Sequence, residues 1–264
     1  MSIIYSAIVP HSPVFLPSFE KTARDSVAAT IESFEHIQKQ IASLQPDIIV
    51  IIAPHDETRK RSDNYIFHVP SLYRAEFQEF GDLVTKTEYT PDPVLANQLK
   101  EKLTQEGIGV TYTGEEKLDY SAGVPLECIA KGSNAKVLVV HPQSKPLLTL
   151  YEEGKQFIKI LQESSKRIVC IASSDLSHCL TQDAPLPHNP AGVEIDQTIV
   201  KCIRSKRIKP ILSIEPGVID EVGACGIPSL VVLLGIMKNI KHGTNVLSYE
   251  GSLGVGHLVV EYTI

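Results

Sequence analysis

Apolar residues fall in short runs separated by longer amphipathic stretches. Ile3 to Val9 is rich in β-branched residues and is stopped by Pro10, the pattern of a buried strand. Over residues 20–45, Val27, Ile31, Phe34, Ile37, Ile41 and Leu44 recur at threes and fours, which predicts one long amphipathic helix. Asp47-Ile-Ile-Val-Ile-Ile-Ala53 then runs apolar on both faces until Pro54. Such a strand belongs in the middle of a sheet covered on both sides, so the chain opens as a βαβ unit. Residues 56–90 are polar and aromatic, with strand-like pieces such as Tyr65 to Val69. Helical patterns follow at 91–107, 124–131, 147–164, 191–204 and 225–239; strand patterns fall at 108–113, 136–141 and 167–173. Val246 to Glu250 and Val255 to Tyr262 read as a closing antiparallel pair around a Gly-rich turn. This alternation predicts one α/β domain over residues 1–264, with a mostly parallel or mixed sheet flanked by helices. Pro185, Pro187 and Pro190 mark a loop over a site.

Composition narrows the function classes. With 264 residues, 43% hydrophobic and 21% charged, the chain has ordinary globular usage. A net charge of −6 argues against general nucleic-acid binding. No apolar run approaches the roughly 18 residues that span a bilayer, and the start, Met-Ser-Ile-Ile-Tyr, has no basic leader region. Cys128, Cys170, Cys179, Cys202 and Cys225 are odd in number and form no C-x-x-C pair. That points away from a disulfide framework or zinc ribbon and toward a reducing cytoplasm.

Candidate chemistry gathers at strand ends. Three strong strands run into turns that carry histidine: Val9-Pro10-His11-Ser12-Pro13, Ala53-Pro54-His55-Asp56 and Ser173-Ser174-Asp175-Leu176-Ser177-His178. Ligands of open α/β sheets bind outside the carboxyl ends of the strands. Proline ends two of these strands sharply and aims the ring that follows, and imidazole suits a metal or proton transfer. His141 also ends a strand and is a candidate for the same crevice; His257 reads as packed. A hydrolase built on Ser174 or Ser177 with His178 is disfavoured, because no G-x-S-x-G elbow is present. Gly251, Gly254 and Gly256 sit between two strands and open no helix, so they read as a turn.

Two further motifs complete an ordered set: Cys225-Gly226-Ile227-Pro228-Ser229 before an apolar helix, and Ser248-Tyr249-Glu250-Gly251 before the last strand. Together the motifs resemble the class III extradiol ring-cleavage dioxygenases of the LigB type and their Memo-like relatives, nearest the dioxygenase-like domain of the AmmeMemoRadiSam group. The resemblance runs from residue 3 to 262. It implies a metal held by His11 and His55, with Fe(II) foremost and zinc or copper as alternatives. It implies a small aromatic substrate with O₂, and gives His178 an acid–base role outside the metal shell. Two departures matter. Where the family often shows Leu-Asp-His-Gly, this chain has Leu118-Asp119-Tyr120-Ser121, so Tyr120 replaces a second active-site histidine. Where relatives read Gly-Glu-Cys-Gly, this chain reads Gly223-Ala224-Cys225-Gly226. The third ligand is then Cys225, as in Memo-like proteins, or the nearby Glu221. Cys225 precedes a predicted helix, whose dipole would favour its thiolate. The readings that follow are ring cleavage of a catechol or aminophenol, or metal binding without ring cleavage in a modification or redox system. The second reading leaves a homo-oligomer or a modification-system partner open.

Overall fold

The computed structural model describes residues 2–54, 64–143 and 145–264. The first buried run forms β1 (Ile3–Val9). The helical pattern at 20–45 divides into α1 (Lys21–Asp25) and α2 (Ala28–Leu44). The break has a local cause: the Ser26 hydroxyl donates to Ala23 O, and Val27 leaves helical geometry at φ −125° to bury its side chain. The second run forms β2 (Ile48–Ile52), buried at every position.

After β3 (Tyr65–His68) comes a hairpin that the sequence reading did not resolve, β4 (Tyr73–Phe77) and β5 (Asp82–Tyr89). It forms its own two-stranded sheet. Tyr73, Ala75 and Phe77 alternate inward, but β5 is mostly polar and masks the pattern. Next come α3 (Pro93–Gln105), β6 (Val110–Thr113), α4 (Tyr120–Ile129) and β7 (Lys136–His141). Asp92 and Asp119 cap α3 and α4 by accepting the amides of Leu95 and Ser121. The Asp119 cap starts α4 four residues earlier than the apolar pattern suggests. The chain continues through α5 (Leu147–Glu163), β8 (Ile168–Ser173), α6 (Pro190–Ser205), α7 (Lys209–Leu212) and α8 (Pro216–Val222). It closes with α9 (Ile227–Met237), β9 (Asn245–Glu250) and β10 (His257–Thr263).

The main sheet has eight strands in the order β6-β3-β7-β2-β8-β1-β10-β9. Its centre, β7-β2-β8-β1, is parallel, and β10 and β9 add antiparallel at one edge. Each face of the sheet carries one apolar core. One packs under α3, α5, α6 and α9, the other under α2, α4 and the hairpin. The chain is thus a single α/β domain with a mixed central sheet. On the first face α5 and α9 cross at Gly154 and Gly235. A Cβ at Gly154 would sit 2.3 Å from Val232 O, and one at Gly235 would sit 2.2 Å from Tyr151 O. Among the described residues no helix is long and apolar enough to cross a membrane.

Candidate metal centre

Strands β2, β8 and β1 are parallel neighbours, so their carboxyl ends lie at one end of the sheet. His11 follows β1 and is fully buried. Its backbone N–H donates to Asp175 Oδ1 at 2.8 Å, which ties the β1 turn to the loop after β8. Its Nδ1 lies 2.9 Å from Ser173 Oγ, the last residue of β8. Its Nε2 faces Cys225 Sγ at 3.5 Å and Asp175 Oδ2 at 3.6 Å. His55 lies outside the described residues.

Cys225 reaches His11 because α9 begins against the end of β8. Gly226 N donates to Asp175 O, and a Cβ at Gly226 would sit 2.2 Å from Ser174 Cα. Only glycine permits that approach. The same contact starts α9 at Ile227, two residues later than the apolar pattern suggests. The expected helix-dipole effect on Cys225 is outweighed. Burial above all, then the charges of Asp175 and Asp119, push its thiol well above the usual range against backbone amides that favour the anion. A thiolate there needs a cation beside it.

Glu221 is brought elsewhere. It lies on the exposed end of α8, where its Oε1 accepts from Asn189 Nδ2 at 2.7 Å. Ala224 is fully buried and offers no donor atom. Among the described residues no group of three histidine, cysteine or carboxylate side chains could hold a metal ion. The His11–Cys225 pair nonetheless fits one. A metal about 2.3 Å from sulfur and about 2.0–2.1 Å from nitrogen, at a tetrahedral angle, separates the two donors by roughly 3.5 Å.

His178 lies in the loop after β8, with its backbone N–H on Val222 O and its carbonyl accepting from Leu186 N. Its Nδ1 is 3.0 Å from Leu176 O. A carbonyl only accepts, so Nδ1 carries a proton, and in the neutral ring Nε2 keeps the lone pair. That Nε2 sits 4.0 Å from Asp175 Oδ2, and the side chain is 23% exposed, open enough for a small molecule to reach. Tyr120 stands at the start of α4 with its ring edge-on to His11 at 5.8 Å and to Phe80 at 5.4 Å. Burial, then Cys225, Asp119 and Asp175, raise its phenol above the usual value, so it stays a hydrogen-bond donor.

Asp175 is the group that residue-by-residue reading passed over. It is buried and holds the His11 turn while its second oxygen lies between the His11 and His178 rings. The signal was present as a carboxylate three residues before His178. His257 is packed, as its position suggested. Its ring stands edge-on to Phe15 at 4.9 Å, and among the described residues neither ring nitrogen has a hydrogen-bond partner. Burial above all pushes its pKa down to about 4. His141, at the end of β7 beside β2, places Nδ1 2.9 Å from Ala53 O and its ring 4.7 Å from His68.

Residues 5–260 match the family model described as the catalytic LigB subunit of aromatic ring-opening dioxygenase. Protein CA_C1420 of Clostridium acetobutylicum is 28% identical over 99% of this chain, which spans 58% of that protein's length. The 2-aminophenol 1,6-dioxygenase beta subunit of a Pseudomonas species is 22% identical over 99% of this chain and 94% of its own. The 4,5-DOPA dioxygenase extradiol of Mirabilis jalapa is 25% identical over 66% of this chain and 65% of its own. Among solved structures, the uncharacterized protein JW3007 from Escherichia coli K12 covers 98% of this chain and 99% of its own, with a TM-score of 0.68 at 16% identity. That last likeness speaks to the fold alone.

Proposed function

Because the chain belongs to the family of LigB-type catalytic subunits of aromatic ring-opening dioxygenases, we propose that it binds one non-heme metal, Fe(II) foremost, and acts with O₂ on a small catechol- or aminophenol-like ring. The observation that carries this reading is the 3.5 Å approach of His11 Nε2 and Cys225 Sγ, the spacing of two donors on one ion. His55, which follows β2 in the sequence and lies outside the described residues, is the third ligand in this reading, as the family resemblance implies. Glu221 is set aside because its carboxylate is engaged at the surface.

A bound metal would supply the Lewis-acid and redox chemistry that joins an aromatic diol to O₂. The protein's own groups do the rest. His178 Nε2 takes a proton from the substrate hydroxyl and returns it later. Asp175 holds the His11 turn and sets the field between the two imidazoles. Tyr120 donates a hydrogen bond to a substrate oxygen, and Phe80 packs against its ring, the two rings edge to face.

A second reading, metal binding without ring cleavage in a Memo-like redox or modification role, is favoured by two specific features. Ala224 stands where a dioxygenase has its carboxylate, leaving the neighbouring Cys225 thiol beside His11, and a phenol held protonated stands where a second proton carrier would be. Loading metal-free protein anaerobically with Fe(II), Zn(II) or Cu(I) and measuring O₂ uptake with a panel of catechols and aminophenols separates the two. Uptake with stoichiometric ring-opened product supports the first. Stoichiometric metal with no uptake across the panel supports the second, and no metal bound refutes both.

A further inference from the structure

Helix α4 carries a proline in its interior, Pro125. In an α-helix the N–H of residue 125 would bond to the carbonyl of residue 121. Proline has no N–H, and its ring crowds that carbonyl. The Ser121 carbonyl therefore cannot make its helical bond, and in this structure it accepts the hydroxyl of Ser173 across from β8. A hydroxyl has one proton to give. With that proton on Ser121 O, the Ser173 oxygen can only accept from His11 Nδ1, 2.9 Å away. His11 Nδ1 must then carry a proton, and in the neutral ring the lone pair falls on Nε2, the nitrogen that faces Cys225 Sγ.

We infer that Ser173 is a positioning residue: held by the carbonyl that Pro125 leaves open, its hydroxyl fixes His11 in the tautomer whose Nε2 can bind a metal. The inference rests on reading His11 as a ligand, and it gives the Val124-Pro125-Leu126 segment a purpose that reaches the site through two hydrogen bonds. Metal-binding imidazoles are commonly oriented by a partner on their other nitrogen, and losing such a partner typically costs about 10–100-fold in affinity. Here the partner is a neutral hydroxyl whose own direction is set by a helix defect. That keeps the ring oriented without adding a charge to a site already holding the Asp175 carboxylate.

The test begins with metal-free protein carrying ¹⁵N-labelled histidine. Long-range ¹H–¹⁵N correlation spectra read the tautomer of each neutral ring directly. Wild-type His11 is expected to show a protonated Nδ1 and an unprotonated Nε2. Ser173→Ala should shift the ring toward a tautomer mixture and weaken Zn(II) binding by about 10–100-fold. Ser173→Thr, which keeps the hydroxyl, should restore both. Pro125→Ala gives the Ser121 carbonyl a helical donor and should move the same signals in the same direction, to a smaller extent. A wild-type His11 protonated on Nε2 overturns the inference without need of any variant, as does a Ser173→Ala spectrum identical to wild type. Unmoved signals in Pro125→Ala remove the proline from the chain of bonds. If wild-type protein shows the expected tautomer yet takes up no Zn(II), the metal reading has failed while the tautomer assignment stands.

Discussion

Gly226→Ala isolates the contact that delivers Cys225. The added Cβ would lie 2.2 Å from Ser174 Cα and 2.6 Å from Ser174 C, both backbone atoms. Backbone cannot turn aside as a side-chain tip can, so the start of α9 and the end of β8 must separate. Reaching even the tight edge of ordinary contact requires a shift of about 1.2 Å. Metal–ligand distances tolerate only about 0.2 Å, so a shift of that size takes the sulfur out of reach of an ion held by His11. Overpacking of this kind also costs about 1–3 kcal/mol. Zn(II) affinity by calorimetry, with thermal melts of metal-free protein alongside, reads both effects. The expected result is a folded protein melting several degrees lower and binding Zn(II) at least about tenfold more weakly. Wild-type affinity in a folded Gly226→Ala variant would refute the claim that this close approach positions a ligand.

Three further outcomes follow from the geometry. His178→Ala should lower ring-cleavage turnover by about 10²–10⁴-fold with metal content unchanged; an equal loss of metal would make His178 a ligand instead. Asp196 is buried and accepts the Ser177 N–H, the Ser177 hydroxyl and the Tyr249 hydroxyl at 3.1, 2.7 and 2.9 Å. Asp196→Ala removes the acceptor of the Ser177 amide and the Tyr249 hydroxyl, while the Ser177 hydroxyl can still donate to Gly192 O at 3.1 Å; the loss should cost about 2–3 kcal/mol in denaturant unfolding, and a cost under about 1 kcal/mol would contradict the role. For Asp82, burial alone would raise the carboxyl, but hydrogen bonds from Thr85, Ser18 and Val84 outweigh it and hold the pKa down to about 2. A depressed carboxyl contributes stability above its unfolded value of about 4 and loses that contribution as pH falls toward 2. Wild-type stability should therefore fall across that window more steeply than that of Asp82→Ala, and parallel curves would refute it.

Much of this architecture was legible because the central strands are apolar on both faces. Ile48 to Ile52 admits no reading but a covered strand, and the turns after β1 and β8 bring His11 and His178 to either side of the Asp175 carboxylate. The hairpin of β4 and β5 was hidden because its second strand is polar and half solvated, leaving no period-2 contrast to read. At the site, residue types alone nominated both Cys225 and Glu221, which stand four positions apart. What separates them is the turn between α8 and α9, which carries Glu221 outward to Asn189 and Cys225 inward to His11. The roles of Asp175, Ser173 and Pro125 depend on contacts between segments about 50 to 160 residues apart, which no local pattern encodes. The thiol of Cys225 shows the limit of a local argument: its position before a helix favours the anion, and burial beside Asp175 reverses that.

The central claim is that His11 and Cys225 serve one metal ion. X-ray absorption at the metal edge of anaerobically loaded protein tests it directly, because sulfur and nitrogen scatter distinguishably. The account predicts one sulfur near 2.3 Å with imidazole nitrogens at about 2.0–2.1 Å, with the sulfur shell lost in Cys225→Ala and the imidazole signal reduced in His11→Ala. A first shell of nitrogen and oxygen alone, unchanged in both variants, would contradict it.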